Sequence, residues 1–197
     1  RQMRIGAMAE LHLQHVKNNT IESCTPDEYL ALLTDHEWES RQNQKTQRLI
    51  KQAAFRQKAS VEEVDFSPAR NLDKNMFSRL ATLDFIRRKE NLIVTGASGV
   101  GKSYLAQALG YQACFNGLKV YYSYTGRLFT RLKLSKTDGT YLKELKKVQK
   151  TNLLILDDFG LHPLDNHCRE TLMDIIDDRH NQSSTIIVSQ IPASVWY

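Results

Sequence analysis

The segment Gly96-Ala97-Ser98-Gly99-Val100-Gly101-Lys102-Ser103 sets glycines, a lysine and a hydroxyl at the spacing G-x-x-x-x-G-K-[ST]. A loop that wraps a phosphate needs those residue types in that order. Glycines let backbone N–H groups turn inward with no Cβ in the way. A helix beginning near Lys102 turns its positive end toward the anion. The lysine can reach the outer phosphates and the serine hydroxyl can ligate Mg²⁺. The candidate nucleotide-binding set is therefore Gly96 to Ser103, extended to Tyr104 on the first helical turn, and the cofactors this chemistry predicts are ATP and Mg²⁺.

A second segment, Leu153-Leu154-Ile155-Leu156-Asp157-Asp158, is an apolar run ending in two carboxylates. As a strand it delivers them to the C-terminal edge of a sheet, where open α/β sheets bind ligands. Asp157 is the candidate metal residue beside Ser103, acting through the ion's water shell. Asp158 is the candidate that orients and deprotonates the attacking water. A third strand, Ile186-Ile187-Val188-Ser189-Gln190, ends in side chains suited to the γ-phosphate, with Gln190 able to hold that water. Lys102, Asp158 and Gln190 are thus catalytic candidates. Arg179, in Asp177-Asp178-Arg179-His180, joins them as an arginine finger acting on a neighbouring subunit; its other reading is a salt bridge with the adjacent aspartates.

The elements that must position these residues follow from the apolar pattern. Strands are predicted at 91–95, 119–124, 153–156 and 185–189, and helices at 102–116, 126–150 and 165–180. Near-continuous apolar strands alternating with helices predict an α/β fold, a parallel sheet with helices on both faces. Ahead of it, one helix is predicted over 74–88. Residues 1–60 read as a small all-α N-terminal domain. There Thr25-Pro26-Asp27-Glu28 supplies a helix start with a capping box, and Tyr29, Leu30, Leu32 and Leu33 an apolar face. Ser67-Pro68 and Asn71 mark 61–76 as a linker, which leaves 77–197 as the core.

The chain has 197 residues, 41% hydrophobic and 25% charged, as in ordinary soluble proteins, with a formal net charge of +5. Cys24, Cys114 and Cys168 are far apart and form no CxxC pair, so they read as buried thiols of a reducing compartment. His12 and His15 lie one helical turn apart, but no Cys or acidic residue stands at metal-site spacing from them. There is neither an apolar run long enough for a membrane span nor an apolar N-terminal signal region, so a cytoplasmic protein without membrane contact is expected.

The positive charge is clustered. No acidic residue falls between Ser40 and Lys58, where Arg41, Lys45 and Arg48 share a helix face and Lys51 follows. Between Arg127 and Lys150 stand eight basic residues against two acidic ones, among them Arg131, Lys133, Lys136, Lys143, Lys146 and Lys147. Such clusters predict salt-dependent, largely sequence-independent contacts to double-stranded DNA; a solvated charged face is the bland alternative for each.

Taken together, Gly96 to Ser103, Leu153 to Gly160 and Ser184 to Gln190 resemble the IstB-type insertion-sequence ATP-binding proteins, which are AAA+ ATPases related to the DnaC-type helicase loaders. Phe66-Ser67, Leu72-Asp73, Ala81 to Ile86 and Gly6 to Glu10 are similar to that family's corresponding segments, so the resemblance covers nearly the whole chain. It implies a P-loop AAA+ fold and ATP-dependent assembly of homo-oligomers on DNA. It also implies help to the transposase of the same element in selecting or activating a target. By position it carries nucleotide and Mg²⁺ roles to Gly101, Lys102 and Ser103, the metal carboxylate to Asp157, the catalytic carboxylate to Asp158 and the sensor to Gln190. Many relatives have Glu at the Asp158 position and Asn at the Gln190 position. The helical lid of AAA+ proteins, with its further arginine, is not present in this sequence. A helicase loader and an ATP-gated DNA scaffold that hydrolyses little remain alternatives. A small nucleotide kinase has a similar loop, but near its N-terminus.

Overall fold

The computed structural model describes residues 4–19, 24–161 and 163–196; the outer ends of the expected domains, at 1 and 197, lie outside the described residues. The chain divides into two compact units between Arg48 and Leu49. This division falls ahead of the expected boundary at 60, and the expected linker at 61–76 lies within the second unit. Leu49, Ala53 and Val64 are buried in the core of the second unit, and Phe66 and Leu72 pack against it. Pro68 and Asn71 do punctuate the chain, with a 3-10 turn at Pro68–Arg70 and a left-handed Asn71, but apolar burial on either side holds the segment down.

The first unit consists of α1 (Gly6–Lys17) and most of α2 (Pro26–Ala53). The expected capping box starts α2: the Thr25 N–H donates to Glu28 Oε2 at 2.9 Å and the Glu28 N–H to Thr25 Oγ1 at 3.4 Å. Of the predicted apolar face, Leu33 is buried while Leu30 and Leu32 are exposed.

After the end of α2 and the turn at Pro68–Arg70, the second unit continues with α3 (Lys74–Ala81) and α4 (Asp84–Arg87). These replace the single helix predicted over 74–88. Leu83 takes a left-handed φ of 63° that ends one helix and begins the next, and this puts Leu83, Phe85 and Ile86 into the core. There follow β1 (Leu92–Thr95), α5 (Lys102–Phe115), β2 (Val120–Tyr124), α6 (Thr125–Thr137), α7 (Tyr141–Gln149), β3 (Leu153–Phe159), α8 (Asn166–Arg179) and β4 (Ser184–Ser189). The four strands form one parallel sheet in the order β1-β4-β3-β2.

Strand alternation splits the core in two. Val120, Tyr122, Leu153, Ile155, Ile186 and Val188 face a layer that includes α3 and α5. Tyr121, Leu154 and Leu156 face α6, α7 and α8. Both faces are thus covered, as a parallel sheet requires. No helix among the described residues is long and apolar enough to cross a membrane. Of the cysteines expected to be buried, Cys114 is, and burial pushes its thiol up to about 12; Cys24 and Cys168 are partly exposed.

Arg179, read as an arginine finger or a salt-bridge partner, is turned inward. Its side chain is 2% exposed and sits inside its own fold. Nη1 donates to Val148 O, Thr151 O and Thr151 Oγ1, Nη2 to Ser184 O, and Nε to Thr185 Oγ1. The guanidinium closes the carbonyl end of α7, where the helix dipole favours a cation, and joins it to the start of β4. Burial draws its pKa down to about 10, which leaves it charged at neutral pH. Arg179→Ala should lower unfolding stability by about 3–5 kcal/mol, because it strands several buried carbonyls. Urea denaturation measures this. A variant of native stability that loses turnover only in mixed oligomers would restore the finger.

Candidate functional site

The parallel register brings the C-terminal strand ends together. Thr95 pairs with Ser189, Ser189 with Phe159, and Asp157 with Tyr124. The loop 96–101 leaves β1 at this edge and enters α5. Gly99 and Gly101 take φ of 80° and 91°, which glycine adopts without strain. Lys102 is nearly buried and its Nζ donates to Ala97 O at 2.6 Å, so the ammonium closes the loop on itself. Ser98, Gly99 and Val100 are exposed along the loop's outer rim.

Asp157 is 0% exposed. It lies on the α5 face because it follows Leu153 and Ile155 at strand alternation. Ser103 Oγ donates to Asp157 Oδ1 at 3.0 Å, so the structure brings together the two residues named for the metal. A hydroxyl and a carboxylate are hard oxygen donors, the type Mg²⁺ selects, and Mg²⁺ sites use one or two protein ligands plus phosphate and water. Among the described residues no group of three or more His, Cys, Asp or Glu side chains forms a metal site elsewhere.

Asp158 sits where β3 departs from regular pairing, with a register shift between Leu156 and Phe159. Its φ is 54°, a left-handed conformation that Asp tolerates better than most residues. Its N–H donates to Asp157 Oδ1 at 2.9 Å, and Gln190 Nε2 reaches its Oδ1 at 3.4 Å. The bulge thus turns two consecutive carboxylates to different tasks: one packs against α5, the other meets Gln190 in partial exposure. The Tyr104 hydroxyl donates to Glu63 at 3.0 Å and accepts from the Ser60 N–H at 3.2 Å, which ties α5 to segment 60–63.

Two residues of the site carried no motif. Tyr122 is 4% exposed and its hydroxyl donates to Asp157 Oδ2 at 2.6 Å. Burial first, then this bond, pushes its phenol well above the ordinary range. Arg70 Nη2 donates to Val100 O at 3.2 Å, with Asp65 3.9 Å from its Nη1. The Ser67 N–H, then the Ser67 hydroxyl, hold the Asp65 carboxyl below its ordinary value. Only the alternation of β2 could have hinted at Tyr122; nothing in the sequence pointed to Arg70.

The candidate DNA residues fall in both units, Arg41, Lys45 and Arg48 in the first and the rest in the second. Arg41 is paired with Glu37 at 2.8 Å and bonded to Arg4 O, while Lys45, Arg48 and Lys51 are exposed on α2. In the second unit a cleft of about 1470 Å³ runs from α6 and α7 to Asp158, lined by Arg131, Lys133 and Lys147 together with Arg56 and Arg127. Several of these cations have local partners: Arg131 with the Tyr121 hydroxyl, Lys133 with Asp165, Lys147 with Glu144. Arg127 stacks 5.1 Å over the Tyr124 ring, and Arg56 donates to its hydroxyl. Lys136 sits over Tyr141 at 4.6 Å, and Lys143 and Lys146 are exposed; none of the three lines the cleft.

The fit at Gly101 generates a prediction. A Cβ there would stand 2.6 Å from Arg70 Nη2, besides requiring a positive φ. Gly101→Ala should weaken nucleotide binding by about tenfold or more, since backbone strain of this kind costs about 1–3 kcal/mol. Adding Arg70→Ala should recover only part of the loss, as measured by fluorescent-nucleotide titration. Full recovery would mean that φ imposes nothing.

Comparison with known proteins accords with this geometry. A family model described as IstB-like ATP binding protein matches residues 1–197. An insertion sequence ATP-binding protein of Sinorhizobium fredii is 39% identical over 195 residues, 99% of this chain and 80% of that protein. One of Pseudomonas fluorescens is 39% identical over 194 residues, 98% and 84% of the two. Among solved structures, the DnaC helicase loader matches with a TM-score of 0.58 at 28% identity, over 68% of this chain and 77% of that one. AMPPCP-bound DnaA from Aquifex aeolicus shares the fold, with a TM-score of 0.61 at 19% identity over 70% and 43%. The sheet is thus that of the P-loop AAA+ proteins, and the chain belongs to the family of IstB-like ATP-binding proteins.

Proposed function

We propose that this chain is an ATPase whose nucleotide state governs its assembly on DNA, and that it thereby assists the transposase of its insertion sequence. The Ser103–Asp157 hydrogen bond carries the reading: it joins the end of the phosphate loop to a buried carboxylate at the sheet edge. Ser103 and Asp157 would hold Mg²⁺, which would supply neutralisation of the charge that develops on phosphoryl transfer. Lys102 exchanges its bond to Ala97 O for the outer phosphates, while N–H groups of the loop and of the α5 N-terminus bind the remaining oxygens. Asp158 accepts the proton of the attacking water, which Gln190, 3.4 Å away, helps to orient.

The DNA part of the reading rests on charge. Arg127, Arg131, Lys133 and Lys147 border a cleft that ends at Asp158, so a phosphate backbone lying there would bear on the hydrolytic carboxylate. The exposed Lys45, Arg48 and Lys51 of α2, and Lys143 and Lys146 of α7, add further phosphate contacts. The insertion-sequence relatives favour a transposase as the protein client. The likeness to the DnaC helicase loader, at 28% identity, favours a replicative helicase as the second reading.

Asp158→Asn is the informative variant, because Asn tolerates the left-handed φ as Asp does. It should retain ATP binding and lose about a hundredfold or more in turnover, the usual scale of general-base catalysis. Unchanged turnover would remove Asp158 from the chemistry. Particle mass and DNA affinity, compared with ATP, with ADP and without nucleotide, test the switch: ATP should enlarge the particle and tighten a salt-sensitive DNA complex. If ATP alters neither, the switch is wrong.

A further inference from the structure

We infer that Tyr122 is a positioning residue for the metal-binding carboxylate, fixing Asp157 in the orientation that presents it to a divalent cation beside Ser103. The inference rests on the reading above that Asp157 serves Mg²⁺.

The register explains why this tyrosine is in reach. Tyr122 pairs with Ile155, so Asp157, two residues farther along β3, is its diagonal neighbour on the same face. Its ring is wedged between Phe55, centroids 6.3 Å apart, and Tyr124, 5.9 Å apart. That packing aims the hydroxyl at Asp157 Oδ2, 2.6 Å away. The other carboxylate oxygen, Oδ1, accepts from Ser103 Oγ and from the Asp158 N–H. With one oxygen held from β2 and the other from α5, the carboxylate cannot rotate about its terminal torsion without breaking a bond.

The charge balance gives the arrangement its purpose. Asp157 is 0% exposed and forms no ion pair among the described residues. Its three donors, the Ser103 hydroxyl, the Tyr122 hydroxyl and the Asp158 N–H, are all neutral. A buried carboxylate in that setting is costly unless a cation joins it. Partners that orient a ligating carboxylate typically set metal affinity by about 10- to 100-fold.

Tyr122→Phe keeps the wedged ring and removes only the hydroxyl. The experiment titrates Mg²⁺ against binding of a fluorescent ATP analogue, for the native chain, Tyr122→Phe and Asp157→Asn, and repeats the nucleotide titration in EDTA. Tyr122→Phe should raise the Mg²⁺ concentration at half-saturation by about 10- to 100-fold while leaving affinity in EDTA unchanged. A purely structural role would instead weaken binding equally in EDTA, and that result would overturn the inference. So would an unchanged Mg²⁺ midpoint in Tyr122→Phe where Asp157→Asn shifts it. Should Asp157→Asn leave the midpoint unchanged as well, the metal reading of Asp157 fails and this inference with it. If the phenylalanine variant does not fold, Tyr122→Met, an apolar side chain that fills the space without a donor, replaces it, and the same split between Mg²⁺ and EDTA decides.

Discussion

Asp157 is a carboxylate sealed into the sheet, and most of the site exists to keep it there. A charge so placed must be hydrogen-bonded on both oxygens, and its donors have to come from separate elements. β2 sends Tyr122, α5 sends Ser103, and the chain itself supplies the Asp158 N–H. Each donor imposes something. β2 must be the neighbour of β3 in the observed register, α5 must begin at the sheet edge, and Asp158 must take a left-handed turn. Strand order, loop position and bulge are in this sense one requirement.

The same helix that presents Ser103 is anchored from its other side. Gln107, 0% exposed, donates to Ser103 O and accepts the N–H groups of Arg56 and Gln57 through its Oε1. Nearby, Gly110 lets Phe55 close onto α5; a Cβ there would lie 2.7 Å from the Phe55 ring. Phe55 then stacks on Tyr111 at 4.4 Å. A buried amide with these bonds satisfied ties the residues following α2 to the end of the phosphate loop. Arg56 in turn donates from its guanidinium to the Tyr124 hydroxyl at the border of the basic cleft.

The legible parts of this molecule are those written locally. The loop 96–103 is a contiguous pattern, the four strands are apolar runs, and the Thr25–Glu28 capping box is a matter of four residues. What escaped depends on tertiary packing. Arg179 follows two aspartates and resembles a surface charge, yet it is drawn inward by carbonyls that converge from 148, 151 and 184. Leu83 breaks a helix with no glycine or proline to announce it, because core burial of its neighbours outweighs the strain. The division after Arg48 accompanies the burial of Leu49, Ala53 and Val64, which are too sparse to form a visible pattern. Tyr122 looks like one more aromatic strand residue; only the pairing of β2 with β3 gives its hydroxyl a partner.

The central claim is that Ser103 and Asp157 act as one unit on the metal–nucleotide complex. A double-mutant cycle on Ser103→Ala and Asp157→Asn, read as ATP affinity by calorimetry with Mg²⁺ and again in EDTA, tests it most directly. The account predicts that with Mg²⁺ each change weakens binding by about tenfold or more, that the pair together loses much less than the sum, and that both changes are nearly silent in EDTA. Additive losses with Mg²⁺, or losses of the same size in EDTA, would contradict it.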